Sequence, residues 1–282
     1  MSDNPLVAPL VDADTLREWL DSDRRTVVID VRWRLGGPSL REDYHARHVP
    51  GALFVEFDID ICGPPGARGR HPLPDPAHLQ ATLRRLGIRD GSRVVVYDGG
   101  DALAAARTWW TLRWAGLSQV YVLDGGYPAW TGEVSTDVGV PVPGDVLVRP
   151  GGMPALDAAG AAELARDGVL LDVRTPERYR GETEPIDPVA GRIPGAVNLP
   201  GAELDGGRFA AAATLRERYA AAGATGDVPT GAYCGSGVTA ARTALGMTVA
   251  GLRPALYVGS WSEWITDPAR PVATGDPGPP AH

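Results

Sequence analysis

The chain has 282 residues, of which 35 are acidic and 27 basic, for a net charge of −8 without long runs of one sign. That length fits two medium-sized cores, and the dispersed negative charge argues against a nucleic-acid or anionic-membrane surface. Two cysteines in unlike contexts and five scattered histidines exclude a disulfide framework and a zinc-type cluster, so neither metal nor cofactor is expected and partners should be small molecules or proteins.

The first residues, Met1-Ser-Asp-Asn-Pro-Leu-Val, lack a basic segment leading into a long apolar one, and no window is apolar enough to cross a bilayer; a soluble cytoplasmic protein is expected. Asp12-Ala-Asp14 reads as the cap of a first helix. Val27-Val-Ile-Asp-Val-Arg32 then reads as a strand, and Pro50-Gly51 in His48-Val-Pro-Gly-Ala-Leu53 marks a turn. The β-branched runs at 94–97 and 120–123 flank a helix-like stretch at 102–115 that carries Trp109, Trp110 and Trp114 at core spacing. A stretch at 138–154, rich in proline and glycine, reads as a stiff linker. Beyond it Asp157 caps a helix at 158–166 that Gly168 stops. The last residues, within 265–282, are too rich in proline and glycine to form an element and are expected to fray.

The second half repeats the first. Val27-Val-Ile-Asp-Val-Arg32 returns as Val169-Leu-Leu-Asp-Val-Arg174, and His48-Val-Pro-Gly-Ala-Leu53 as Arg192-Ile-Pro-Gly-Ala-Val197. Val94-Val-Val-Tyr-Asp98 faces Gly231-Ala-Tyr-Cys234, and Val122-Leu-Asp-Gly-Gly-Tyr-Pro-Ala-Trp130 faces Leu256-Tyr-Val-Gly-Ser-Trp-Ser-Glu-Trp264. Landmarks in the same order predict two copies of one domain, at 1–137 and 155–282 with the linker 138–154 between them. Apolar strand runs without polar alternation are the mark of parallel strands covered on both faces, so each copy is expected to be an α/β domain. Asp30-Val-Arg32 and Asp172-Val-Arg174 occur in both copies, which favours a fold-supporting ion pair over catalysis.

Cys234 stands out. In Gly231-Ala-Tyr-Cys-Gly-Ser-Gly-Val-Thr-Ala-Ala-Arg242 a strand meets a cysteine, two glycines and a helix start. Successive amides at a helix N-terminus cradle an anion, and a thiol there is expected to ionise easily and act as a nucleophile. The bland alternative is a small buried hydrophobe, but a packed core thiol has no need of such a loop. Asp98 occupies the matching place in the first copy, in a loop one residue longer, which predicts a silent copy. Cys62 is read as structural.

These landmarks, and above all Cys234-Gly-Ser-Gly-Val-Thr239, resemble the two-domain rhodanese-type sulfurtransferases over nearly the whole chain. The resemblance implies tandem rhodanese-like domains, each a parallel sheet flanked by helices, and a Cys234 persulfide ringed by the amides of Gly235, Ser236, Gly237, Val238 and Thr239. An uncharged Gly-Ser-Gly beside the cysteine resembles the members that take 3-mercaptopyruvate rather than thiosulfate. By the same resemblance Ser236 acts with His71 and Asp60 across an interdomain cleft, and Arg178 grips the donor's carboxylate. A second arginine common in the following Glu-Pro segment is absent, since Glu184-Pro185 continues as Ile186-Asp187, and Arg192 is a candidate replacement. The alternatives are that His71 is an ordinary loop histidine, that Asp60 is the solvent side of an extended segment, and that the neighbouring Arg180 is the arginine in question. Two rivals are a cysteine phosphatase, disfavoured because Ala240 stands where an arginine is needed, and a non-catalytic persulfide carrier. A thiol or a thioredoxin-like protein is a possible acceptor.

Overall fold

The structure, a computed structural model, describes residues 8–276 except Arg24 and Ala202. It divides into two compact units. The first holds residues 8–64, Leu73–Met153 and Leu204–Phe209; the second holds Pro65–Pro72, Pro154–Glu203 and residues 210–276. The expectation for 277–282 lies outside the described residues. Among the described residues no helix is long and apolar enough to cross a membrane.

The first unit contains β1 (Leu10–Val11), α1 (Ala13–Ser22), β2 (Thr26–Asp30), α2 (Arg41–Ala46), β3 (Leu53–Phe54), a π-helical turn at Phe57–Ile61, α3 (Pro76–Arg85), β4 (Arg93–Tyr97), α4 (Leu103–Trp114), β5 (Val120–Leu123) and α5 (Gly126–Ala129). Its sheet is all parallel, in the order β1-β5-β4-β2-β3. Asp12 caps α1 by accepting from the Thr15 amide at 2.8 Å. Every residue of β5 and all but the first of β4 are buried, as expected of strands covered on both faces. Trp109 and Trp110 are core residues on α4; burying each large apolar side chain stabilises by about 1.5–3 kcal/mol.

The stretch read as a linker adheres to this unit. Gly144 N donates to Arg84 O at 2.8 Å, Arg149 N to Ala115 O at 2.8 Å and Gly152 N to Trp114 O at 3.0 Å. Gly144 has to be glycine, since a Cβ there would stand 1.8 Å from Ile88 O.

The second unit contains β6 (Ala155–Leu156), α6 (Ala158–Asp167), β7 (Val169–Asp172), α7 (Pro176–Arg180) and β8 (Val197–Asn198). A short antiparallel hairpin, β9 (Leu204–Asp205) with β10 (Arg208–Phe209), follows and packs with the first unit. Then come α8 (Ala212–Ala221), β11 (Thr230–Tyr233), α9 (Val238–Val249), β12 (Ala255–Tyr257) and α10 (Ser260–Trp264). The parallel sheet runs β6-β12-β11-β7-β8, the same order of corresponding strands as in the first unit. Asp157 caps α6 through the Gly160 amide at 2.8 Å, and Gly168 ends it. Tyr233, Tyr257, Trp261 and Trp264 fill the core beside α6.

The duplicated ion pairs sit inside each copy. Arg32 meets Asp30 at 2.8 Å and Arg174 meets Asp172 at 2.7 Å, with Tyr97 and Tyr233 respectively donating to the aspartates. Burial works against the charge on Arg174, but the Asp172 carboxylate outweighs it and holds the guanidinium above its ordinary pKa.

Candidate active site

In each unit the third strand of the sheet ends in the loop that the duplication singled out. Cys234 follows β11 directly and is 3% exposed. Gly237, at φ +78°, caps α9 with a left-handed backbone that glycine adopts freely, and its amide donates to Cys234 Sγ at 3.1 Å. The sulfur thus lies beside the first turn of a 12-residue helix, where unpaired amides and the helix dipole favour negative charge. Val238 is buried in that turn and Thr239 follows it.

A second segment clasps the cysteine's own peptide. Trp261 N donates to Cys234 O at 3.0 Å and Ser262 N to Gly235 O at 2.9 Å. Cys234 N donates to Ser260 Oγ at 3.1 Å, while that hydroxyl donates to Tyr257 O at 2.8 Å. Ser260 is fully buried at φ +53°, a conformation costly for a non-glycine residue. Its counterpart Gly126 has φ +60°, and a Cβ there would lie 2.8 Å from Asp98 O. The copy with the cysteine therefore keeps a strained serine where the copy with Asp98 has glycine, and the hydroxyl orients the cysteine in return. Ser260→Ala is expected to lower kcat about tenfold, with a loss of stability of about 1–2 kcal/mol from the orphaned Cys234 amide. Paired kinetics and thermal unfolding check this.

His71 belongs to the Pro65–Pro72 segment, which packs with the second unit. Arg70 N donates to Ser262 Oγ at 3.0 Å, and Gly69 approaches so closely that a Cβ there would stand 2.7 Å from Gly259 O. This anchoring sets His71 Nδ1 2.8 Å from Ser236 Oγ, both side chains buried. The hydroxyl donates when Nδ1 is unprotonated. Asp60 belongs to the first unit, in the π-helical turn, where its carboxylate accepts from Arg85 at 2.7 Å, from the Glu56 amide at 2.9 Å and from Thr82 at 3.4 Å.

Arg178, on α7, is engaged by two carboxylates: Nη2 meets Glu184 Oε1 at 2.7 Å and Asp187 Oδ2 at 3.3 Å, and Nε donates to Glu184 Oε2 at 3.0 Å. Burial opposes ionisation of Glu184, and the hydrogen bonds from Arg178 overcome it, holding that carboxyl below its ordinary pKa. Arg180 faces Glu182 instead. Arg192 donates to Gly275 O at 2.6 Å and lies over the Tyr179 ring at 4.4 Å, so its guanidinium already has partners.

Arg70 escaped the sequence reading. Its Nη1 meets Asp187 Oδ1 at 2.5 Å. A Cβ built on Gly235 would lie 3.3 Å from Arg70 Nη2 and 3.5 and 3.6 Å from the two terminal nitrogens of Arg178, so both guanidiniums stand over the residue after the nucleophile. Nothing local in Gly66-Ala-Arg-Gly-Arg70 signals this, although its glycines and its place just before His71 offered a hint.

The first unit shows what the loop becomes without a thiol. The Asp98 carboxylate fills its own cradle, accepting from the amides of Gly100 at 3.0 Å, Ala102 at 3.2 Å and Ala105 at 3.0 Å. Burial, together with the charge of Asp101, pushes its pKa up to about 6 despite those bonds. Cys62 is buried, and burial pushes its thiol up to about 12.

Comparisons with known proteins agree with this arrangement. The rhodanese-like domain family matches twice, at residues 12–133 and 157–267. A Pseudomonas aeruginosa protein with the provisional name 3-mercaptopyruvate sulfurtransferase is 45% identical over 274 residues, covering 90% of this chain and 94% of that protein. A Mycobacterium tuberculosis protein, SseB, provisionally named a thiosulfate sulfurtransferase, is 43% identical over 278 residues, covering 94% and 97%. The crystal structure of SseA from Escherichia coli, described as a 3-mercaptopyruvate sulfotransferase with the rhodanese fold, superimposes with a TM-score of 0.80 at 28% identity, over 91% of this chain and all of that one. Two rhodanese-like domains, one with a cysteine in its anion cradle and one with that cradle filled by aspartate, make this chain a member of the rhodanese-like family, a tandem-domain sulfurtransferase.

Proposed function

We propose that the chain moves sulfur from 3-mercaptopyruvate to a thiol or cyanide through a persulfide on Cys234. The observation that carries the donor assignment is the Ser236–His71 pair two residues beyond the nucleophile. The Cys234 thiolate attacks the donor's thiol sulfur, and the carbon–sulfur bond breaks with its electron pair passing to carbon as the enolate of pyruvate. The Ser236 hydroxyl, backed by His71, polarises the donor carbonyl, and the enolate takes a proton to give pyruvate. Asp60 is assigned as the third member of this relay by the family resemblance. Arg178 and Arg70, both over Gly235, are the groups suited to the donor's carboxylate, since a guanidinium fork matches a carboxylate in shape and charge. The amides of Gly235, Gly237, Val238 and Thr239 stabilise the persulfide anion. An acceptor thiolate then attacks the outer sulfur and returns Cys234 as thiolate.

A thiosulfate donor is the second reading, favoured by the two guanidiniums beside the loop and by the likeness to SseB. Specificity constants for the two donors separate them: the proposal expects mercaptopyruvate to exceed thiosulfate by at least about tenfold in kcat/KM, because thiosulfate has no carbonyl for Ser236 to polarise. A preference for thiosulfate overturns it.

A further inference from the structure

We propose that Asp187 tunes the donor preference of this site by neutralising the guanidiniums of Arg70 and Arg178, which shifts the balance between donors towards a monoanionic carboxylate and away from a dianion. The inference rests on the reading of Cys234 as the sulfur-accepting nucleophile. Asp187 is 7% exposed, and its two oxygens reach in two directions, Oδ1 to Arg70 at 2.5 Å and Oδ2 to Arg178 at 3.3 Å. Around them the network is balanced: Arg70, Arg174 and Arg178 face Asp172, Glu184 and Asp187, three charges of each sign. The cationic groups beside the cysteine therefore present donor hydrogens with little net charge. Arg70 Nε is buried and has no hydrogen-bond partner among the described residues, so the Arg70 guanidinium meets Asp187 through its terminal nitrogens alone.

The consequence follows from charge alone. Removing one negative charge near the donor adds attraction in proportion to the donor's own charge. Whatever factor a monoanion gains, a dianion at the same place gains that factor squared. Asp187→Asn keeps the side-chain shape and one acceptor oxygen while losing the charge; Asp187→Glu keeps the charge and tests whether geometry is responsible.

The experiment measures kcat/KM for mercaptopyruvate and thiosulfate in the full chain, its Asp187→Asn variant and its Asp187→Glu variant, at two ionic strengths. In Asp187→Asn thiosulfate should gain about 25-fold where mercaptopyruvate gains about fivefold. The ratio should then move about fivefold towards thiosulfate, less so at high salt where screening shortens the reach of the lost charge. Asp187→Glu should stay within about twofold of the native ratio. An unchanged ratio in Asp187→Asn, or an equal shift in Asp187→Glu, overturns the proposal. So does loss of turnover with both donors in Asp187→Asn at unchanged thermal stability, which would make Asp187 a geometric support only. A native enzyme that already prefers thiosulfate overturns the donor assignment above and leaves this test intact, because the test reads the change in ratio.

Discussion

Cys234→Ser is expected to abolish sulfur transfer, lowering kcat/KM by about 10⁴-fold or more with either donor. A serine hydroxyl beside the Gly237 amide has the shape of the thiol but neither its acidity nor its ability to hold a second sulfur. In the native protein incubated with mercaptopyruvate, intact mass should rise by one sulfur atom, released by cyanide or a thiol; the serine variant should show no gain. Thermal stability should change little, since Ser260, Trp261 and Ser262 hold the loop through its backbone and not through the sulfur. Persulfide formation at Cys62 in that variant would be the opposite result, and the burial that opposes ionisation of the Cys62 thiol argues against it.

The second large effect concerns Ser236 and His71. Each replaced by alanine should lower kcat for mercaptopyruvate about 10²- to 10³-fold, the range typical of lost general acid–base help. Because the two side chains form one hydrogen-bonded unit at 2.8 Å, the double variant should be scarcely worse than either single one. Thiosulfate offers no carbonyl to polarise and no enolate to protonate, so its turnover should fall by less than about fivefold in the same variants. A uniform loss with both donors would mean that the pair only shapes the loop. Unchanged mercaptopyruvate turnover in His71→Ala would remove the imidazole from the reaction.

The features readable in the sequence are those whose cause is local. Residues 94–97, three valines and a tyrosine, are apolar on both sides of the chain, and such a run is stable only as a buried strand, which β4 is. Asp12 and Asp157 precede helical runs and satisfy amides three residues on, a bond that needs no distant partner. Asp98 opposite Cys234 is visible because the duplication supplies an internal alignment, and the same alignment identifies the Asp30–Arg32 and Asp172–Arg174 pairs as common to both copies, with and without the cysteine.

Other features depend on contacts between residues far apart in the chain. Arg70 and Asp187 are separated by 117 positions, and no periodicity or composition links them, so the arginine absent from the Glu-Pro segment has no local signal pointing to the segment before His71. Arg192 looked like a replacement by proximity in sequence, yet its guanidinium is committed to Gly275 and Tyr179. The positive φ of Ser260 was hidden because serine does not announce a left-handed backbone as glycine does; only its alignment with Gly126 carried a trace. The prolines and glycines of 138–154 suggest a linker, whereas backbone hydrogen bonds to Arg84, Trp114 and Ala115 attach the stretch to the first unit.

By itself the sequence determined the duplicated α/β architecture, the cysteine loop with its helix-start setting and the aspartate that replaces the cysteine in the first copy, because apolar runs, caps, glycine-rich turns and internal repetition are properties of neighbouring residues. The tertiary structure alone decided what surrounds the nucleophile: that His71 meets Ser236, that Ser260 accepts the cysteine's amide, and that Arg70 and Arg178 share Asp187. Electrostatic balance is a property of distances through space, and these distances exist only once the chain has folded.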